Sequence, residues 1–275
     1  MIIGAEQAIR TPESFPAAQL LAKDFDGTVA QTFEKSPNGI GVSENYVLAI
    51  ESLFGVKAID QYLENGGLRN RAPIEVVQEL APDATGDELD QLLGLFIDTK
   101  LSISMEQIGT RFPDGNVWPR PTAGYLGLRE RVEEARSAGL LIDDLVLSSG
   151  HEPFIRKTYK AWSVGLPTHI VDEEAIRQQA VGLPIEQLVK PSPVLMDVAH
   201  NTWRQGYGLP AVSVYSPSER DSIIYVGDDS IKDGELAKNS GVDFVLLEAG
   251  RSEATWEEVA RRLQIGNMAM NGANK

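Results

Sequence analysis

Apolar positions along this chain follow two alternating rhythms. One is a short apolar run that stops at Gly, Ser or an acidic residue: "AQLLAKDFD" before Gly27, then "LLIDDLVLSSG", "THIVDEE", "DSIIYVGDD" and "VDFVLLEAG". These read as strands. The other places apolar residues three or four apart, as in "GYLGLRERVEEARSAG", "EPFIRKTYKAWSVG", "PVLMDVAHNTWRQGYG", "SIKDGELAKNSG" and "SEATWEEVARRLQI". These read as helices. Their alternation predicts a parallel sheet in an α/β fold.

The alternation is interrupted after the first strand. From Ser43 to Leu101 the text is helical, with Tyr46, Val47, Ile50, Leu53 and Phe54 at helical spacing. Ser43 reads as an N-cap and Gly55 as a stop. A loop rich in Pro and Gly, "RFPDGNVWPRPTAG", closes the block. A crossover between parallel strands needs only about a dozen residues, so residues 35–120 read as an inserted helical domain. The α/β core then comprises residues 1–34 and 121–275. Within it, residues 1–17 read as an irregular arm broken by Pro12 and Pro16, and residues 266–275 as a frayed tail.

Composition narrows the picture modestly. The chain has 275 residues, 42% hydrophobic and 24% charged, the balance of a soluble globular protein. No apolar run is long enough to span a membrane, and no basic stretch precedes an apolar one at the N-terminus, so neither membrane partner nor secretory signal is expected. The absence of cysteine excludes disulfides, thiolate metal sites and cysteine nucleophiles, and fits an expected cytoplasmic location. A net charge of −15 argues against a nucleic-acid partner, which requires clustered Lys and Arg. No motif bears on oligomeric state.

The charge is concentrated where two strands end. Asp24 and Asp26 flank Phe25 at the end of the first strand, and an extended chain would aim both toward one point. Asp228 and Asp229 directly follow "IIYVG", with Asp233 one helical turn later. Carboxyl ends of parallel strands are where open α/β sheets bind ligands. If these strands are neighbours, four or five carboxylates converge, and each raises the others' pKa unless a cation lies between them. Oxygen donors without His or Cys suit Mg²⁺. "LVLSSG" brings hydroxyls, Ser148 and Ser149, to a third strand end, and "LVKPSP" brings Lys190. Hydroxyls and a fixed ammonium beside Mg²⁺ are what a phosphoryl group requires.

In this order, "DFDGT", "LVLSS", "VKPSP" and "VGDDSIKD" resemble the four motifs of the haloacid dehalogenase superfamily. The likeness extends over roughly residues 18–34 and 121–262. It implies a Rossmann-like parallel-sheet core with an α-helical cap inserted between the first two motifs, as in the branch of phosphoglycolate phosphatase and β-phosphoglucomutase. Carried onto this chain, the resemblance makes Asp24 the nucleophile and Asp26 the general acid/base. Mg²⁺ would be held by Asp24, the Asp26 carbonyl and Asp228, with Asp229 and Asp233 behind it or bridged by water, although either Asp228 or Asp229 can be the direct ligand. Ser148, preferred over Ser149, would hold a phosphoryl oxygen together with Gly27 and Thr28, and Lys190 would neutralise charge.

The expected activity is Mg²⁺-dependent hydrolysis of a small phosphorylated metabolite through an aspartyl-phosphate. A halide leaves without a proton, so Asp26 favours phosphoryl over dehalogenase chemistry. Phosphonate cleavage would need a cap lysine; Lys35, Lys57 and Lys100 are available, none in a recognisable motif. Arg69 and Arg71, beyond the Gly66-Gly67 pair, are candidates to grip a second anionic group. Phe112, Trp118 and Tyr125 read as hinge or core packing, and His151, His169 and His200 are too scattered for a metal triad, with His151 alone near the site. A phosphomutase and a non-catalytic phosphate-binding module are the competing readings.

Overall fold

The computed structural model describes residues 18–67, 73–184, 187–213 and 215–265. Five parallel strands, β1 (Gln19–Lys23), β2 (Ile142–Leu147), β3 (His169–Val171), β4 (Ile223–Gly227) and β5 (Asp243–Leu246), stand in the order β3-β2-β1-β4-β5. Parallel strands are covered on both faces, which is why they read as unbroken apolar runs. Leu20 and Ala22 face one side, with Leu145, Leu147 and Tyr225, under α7 (Glu173–Gln179), α8 (Val194–Gly206) and α10 (Lys232–Ser240). Leu21 faces the other, with Val146, Ile224 and Val226, under α5 (Tyr125–Ser137), α6 (Glu152–Ala161) and α11 (Ser252–Arg262). A short helix, α9 (Pro217–Asp221), precedes β4.

The register positions the site. Lys23 pairs with both Val146 and Val226, so the chain leaves β1, β2 and β4 at one level. Asp24, Ser148 and Asp228 therefore emerge side by side from the sheet's carboxyl edge. Beneath them, Lys23 itself is buried against Asp144 at 2.7 Å, and Arg129 of α5 joins the same carboxylate. Burial, opposed by Asp144, brings the Lys23 ammonium down to about 8.

Between β1 and β2 lie α1 (Val42–Phe54), α2 (Val56–Glu64), α3 (Pro73–Leu80) and α4 (Asp87–Gln107). They enclose a separate apolar cluster that includes Tyr46, Ile50, Tyr62, Val77, Leu93 and Phe96. The clusters meet along α4. Its first half packs into the insert, whereas Leu101 and Met105 pack on the main body and Lys157 of α6 donates to the Met105 carbonyl at 2.5 Å. The insert's own apolar cluster thus stops within α4, and Ile108 and Trp118, expected within the insert, pack on the main body.

Three local expectations are corrected. The cap of α1 is Gly41, not Ser43, because the Glu44 carboxylate turns back to accept the Gly41 N–H at 3.0 Å. The strand read through Asp26 ends at Lys23, and Asp26 instead bridges to Ala30 in a tight loop. "THIVDEE" is strand only as far as Val171: Asp172 accepts from Ala175 N–H and from Glu152 N–H, both at 2.9 Å, and so starts α7 and braces α6. Among the described residues no helix is long and apolar enough to cross a membrane.

Candidate active site

A pocket of about 410 Å³ opens between the sheet's carboxyl edge and the insert. Its main-body wall carries Asp24, Asp26, Asp228, Asp229, Asp233, Lys190, Lys232, Ser149 and Gly150; its insert-side wall carries Phe33, Val42, Ser43, Tyr46 and Lys100. Carboxylate oxygens of Asp24, Asp228 and Asp233 lie within 4.8 Å of one another. Lys190 Nζ joins two of them, 2.7 Å from Asp24 Oδ1 and 2.9 Å from Asp233 Oδ1.

Each carboxylate is held by what surrounds it. The backbone N–H of Asp24 donates to the Val226 carbonyl at 2.9 Å, which extends the β1–β4 ladder by one rung. Asp228 accepts from Thr28 Oγ1 at 2.7 Å. Gly27 has φ +81°, and a Cβ there would stand 2.9 Å from Asp228 Cγ, so only glycine permits this approach. Asp233 lies against Gly227, where any side chain would collide with its carboxylate. It accepts from Tyr225 Oη at 2.8 Å and from the Asp229 N–H at 3.1 Å.

Thr28, expected on the phosphoryl group, places its hydroxyl on Asp228, and Gly27, expected there too, leaves room for that carboxylate. Asp229, expected at the metal, spends Oδ1 on the N–H groups of Ile231 and Lys232 at 2.8 and 2.9 Å, capping the turn into α10. The Asp26 carboxylate stands outside the three-carboxylate cluster, on the pocket's flank, as its expected part at the metal, through the backbone carbonyl alone, allows. Ser148 is buried with its Oγ accepting the Gly150 N–H at 2.9 Å, while Ser149 and Gly150 form the wall. Arg69 and Arg71 lie outside the described residues. Trp118 and Tyr125 are buried core residues, with Phe112 packed against them.

Electrostatics follow from crowding without water. Burial pushes the Asp24 carboxyl up to about 7, with Asp233 and Asp26 adding to the shift and Lys190 opposing it. Burial also raises Asp26 and Asp228, against the pull of the Thr32 hydroxyl, Lys100 and Lys190 on the first and the Thr28 hydroxyl on the second. Lys190 responds in the opposite sense. Burial disfavours its charge, but Asp24, Tyr225 and Asp233 outweigh that and hold it well above the usual lysine range. Three hard carboxylates whose ionisation is opposed by their own proximity fit a divalent cation such as Mg²⁺.

Behind Asp26 a second cavity of about 50 Å³ reaches Asn45, Lys100, Ser104 and His151. Ser104 Oγ donates to the Lys100 carbonyl at 2.9 Å, so it accepts from Asn45 Nδ2. That leaves Asn45 Oδ1, like His151 Nε2, buried without a protein partner. The volume and these two unpartnered atoms suit an ordered water.

Neither a family model nor a curated protein sequence matches this chain. Solved structures do. β-Phosphoglucomutase from Clostridium difficile superposes with a TM-score of 0.50 and 10% identity over 89% of this chain and 99% of that one. The chain shares the fold of haloacid dehalogenase superfamily hydrolases. A magnesium-bound hydrolase of that superfamily from Bacillus subtilis aligns over 83% of this chain and 88% of its own, at 14% identity and TM-score 0.43. The L-2-haloacid dehalogenase from Xanthobacter autotrophicus aligns over 92% and 85%, at 14% identity and TM-score 0.40.

Within this haloacid dehalogenase fold, sequence reasoning passed over most of the insert-side wall. Lys100, expected only as an available cap lysine, has a position in the sequence that places it inward. Leu93, Phe96, Lys100, Ser104 and Gln107 recur three or four apart on α4, and the other four are buried. A lysine within such a stripe faces inward.

Proposed function

We propose that the chain is a Mg²⁺-dependent phosphomonoester hydrolase of the haloacid dehalogenase superfamily, acting on a small phosphorylated metabolite. The observation that carries this reading is Asp24, fixed by Lys190 at 2.7 Å beside Asp228 and Asp233, with Asp26 on the same pocket. Asp24, Asp228 and Asp233 would hold the cation. When bound, it supplies positive charge that keeps Asp24 ionised and orients a phosphoryl group.

The remaining chemistry belongs to side chains. An Asp24 carboxylate oxygen attacks phosphorus while the bond to the ester oxygen breaks, and Asp26 gives its proton to that oxygen. The alcohol departs and an acyl phosphate remains on Asp24. Asp26, now ionised, takes a proton from a water molecule as its oxygen attacks phosphorus; phosphate leaves and Asp24 is regenerated. The raised pKa of Asp26 suits a group that donates first and accepts second. Lys190 balances charge on Asp24 throughout. The cavity behind Asp26, lined in part by Asn45 and His151, offers room for water, which supports hydrolysis as the reading over return of the phosphoryl group to a product.

The test is phosphate release with Mg²⁺ from a panel of phosphorylated sugars, glycolate, serine, nucleotides and choline, with product analysis for isomerised sugar phosphate. Turnover that Asp24→Asn abolishes while the thermal midpoint is kept is the expected result. A panel with no released phosphate, or activity surviving in Asp24→Asn, overturns the assignment.

A further inference from the structure

The small cavity behind Asp26 is an annex of the main pocket: Asp26, Val42, Lys100 and Gly150 line both. The rest of its wall comes from both parts of the molecule. The insert side supplies Asn45 of α1 with Leu101 and Ser104 of α4, and the main body supplies His151 and Phe154 at the start of α6. Its volume of about 50 Å³ exceeds the roughly 10–15 Å³ that one water molecule needs.

Two of its groups are fixed in place and unsatisfied. Asn45 is 1% exposed, and its Nδ2 is committed to Ser104, which sets the amide plane and leaves Oδ1 as a buried acceptor. The His151 carbonyl accepts from the N–H groups of Phe154 and Ile155 at 3.0 and 3.2 Å, which anchors the residue at the head of α6. Its Nε2, like Asn45 Oδ1, has no partner among the described residues. Burial and the nearby Lys100 outweigh Asp172 and bring the imidazole down to about 4, so the ring is neutral at neutral pH. A buried polar group left unpaired is costly, and one water between these two atoms would satisfy both.

We propose that Asn45 and His151 hold the water that hydrolyses the acyl phosphate on Asp24. A water that donates one O–H to Asn45 Oδ1 and accepts from the Nε2–H of neutral His151 keeps its other O–H for ionised Asp26 and a lone pair for phosphorus. As the new oxygen–phosphorus bond forms, that proton passes to Asp26. The bond from phosphorus to the Asp24 oxygen breaks, its electron pair stays on the carboxylate, and phosphate leaves. Formation of the acyl phosphate consumes no water and asks nothing of the annex. Asn45 belongs to the insert and His151 to the main body, so the water site is complete only while the two are packed together. The inference rests on the hydrolase reading for what the water does, not for where it sits.

A high-resolution crystal structure of the full chain tests the position, and kinetics on p-nitrophenyl phosphate with Mg²⁺ test the role. A water within hydrogen-bond distance of both Asn45 Oδ1 and His151 Nε2 is expected; without one the inference falls, whatever the protein turns over. The good leaving group makes breakdown of the acyl phosphate limiting. In Asn45→Leu and His151→Leu that step should slow about 2–10-fold, the span of one hydrogen bond. Then kcat and KM fall together and their ratio holds, because kcat/KM reads only the steps up to departure of p-nitrophenol. Acid-quenched variants should also carry more phosphoryl group by intact mass than wild type. His151→Gln, which keeps an N–H donor, should recover most of the rate. A kcat that falls while KM holds or rises, or a His151→Gln no faster than His151→Leu, marks a merely structural role and overturns the inference. An ordered water in a protein that turns over neither this ester nor any of the panel would sink the hydrolase reading, and the role of the water with it.

Discussion

Replacing Lys190 with Met isolates the electrostatics of the site without requiring a known substrate. Met keeps most of the apolar stem and removes the ammonium that joins Asp24 and Asp233. The three side chains are 9%, 14% and 2% exposed, so water does little to replace the lost charge. Breaking a buried pair by removing one partner costs about 3–5 kcal/mol. For a chain of this size that lowers the thermal midpoint by roughly 6–20 °C. The cost should depend on pH. Asp24 already has a folded pKa of about 7, above its ordinary 3.8, and loss of Lys190 moves it higher. A carboxyl whose folded pKa is raised binds more protons folded than unfolded, so stability falls as pH rises from the unfolded value through the folded one. At pH 5 the variant's Asp24 is protonated and little charge is stranded; at pH 8 the charge must be carried or a proton taken up. Urea unfolding followed by tryptophan fluorescence, without divalent ions, should therefore give a larger deficit at pH 8 than at pH 5. Mg²⁺ should narrow the pH 8 deficit by binding the folded carboxylates. A deficit below about 1 kcal/mol, or one equal at both pH values, would refute the account of Lys190 as counter-ion to a buried carboxylate pair.

Thr28→Val removes the hydroxyl on Asp228 with little change of shape, and loss of such a supporting contact weakens metal binding about 10–100-fold. Mg²⁺ titration calorimetry checks this, and an unchanged affinity would show that Thr28 does not orient Asp228. Asp144→Ala strands Lys23 and Arg129 as buried cations beneath the sheet and should cost about 3–5 kcal/mol in urea unfolding. Its effect on Mg²⁺ affinity should be small, because Asp144 lies outside the pocket lining.

Much of the scaffold was legible because strand and helix periods differ and because parallel strands are apolar on both faces. All five strands, their parallel direction and the inserted helices follow from that contrast. Boundaries were less legible. Asp26 looked like strand because Phe25 between the two aspartates is apolar, but the loop closes through Gly27 N–H and the Ala30 carbonyl at 2.8 Å, a contact with no local pattern. The start of α7 was hidden because Asp172 caps one helix while bracing another. For the site, strand ends in a parallel sheet share an edge, which drew Asp24, Asp26, Asp228 and Asp233 into one group; Lys190, on no strand, joined it through the order of motifs that resembles the haloacid dehalogenase superfamily. Spacing did not separate oxygens that face the pocket from those spent on backbone. Asp228 and Asp229 are adjacent and chemically identical; only the fold gives one a threonine hydroxyl and the other two helix N–H groups.

The helix α4 is shared between two apolar clusters, and this makes it a lever. Its 21 residues form one rod of about 30 Å, docked at the Leu101–Gln107 end and free of the main body at the other. For a tilt of about 10° around the docked end, Asp87 would travel about 5 Å and Lys100 only about 2 Å. Lys100, near the fulcrum, would keep its place in the pocket wall while the far end of the helix moved.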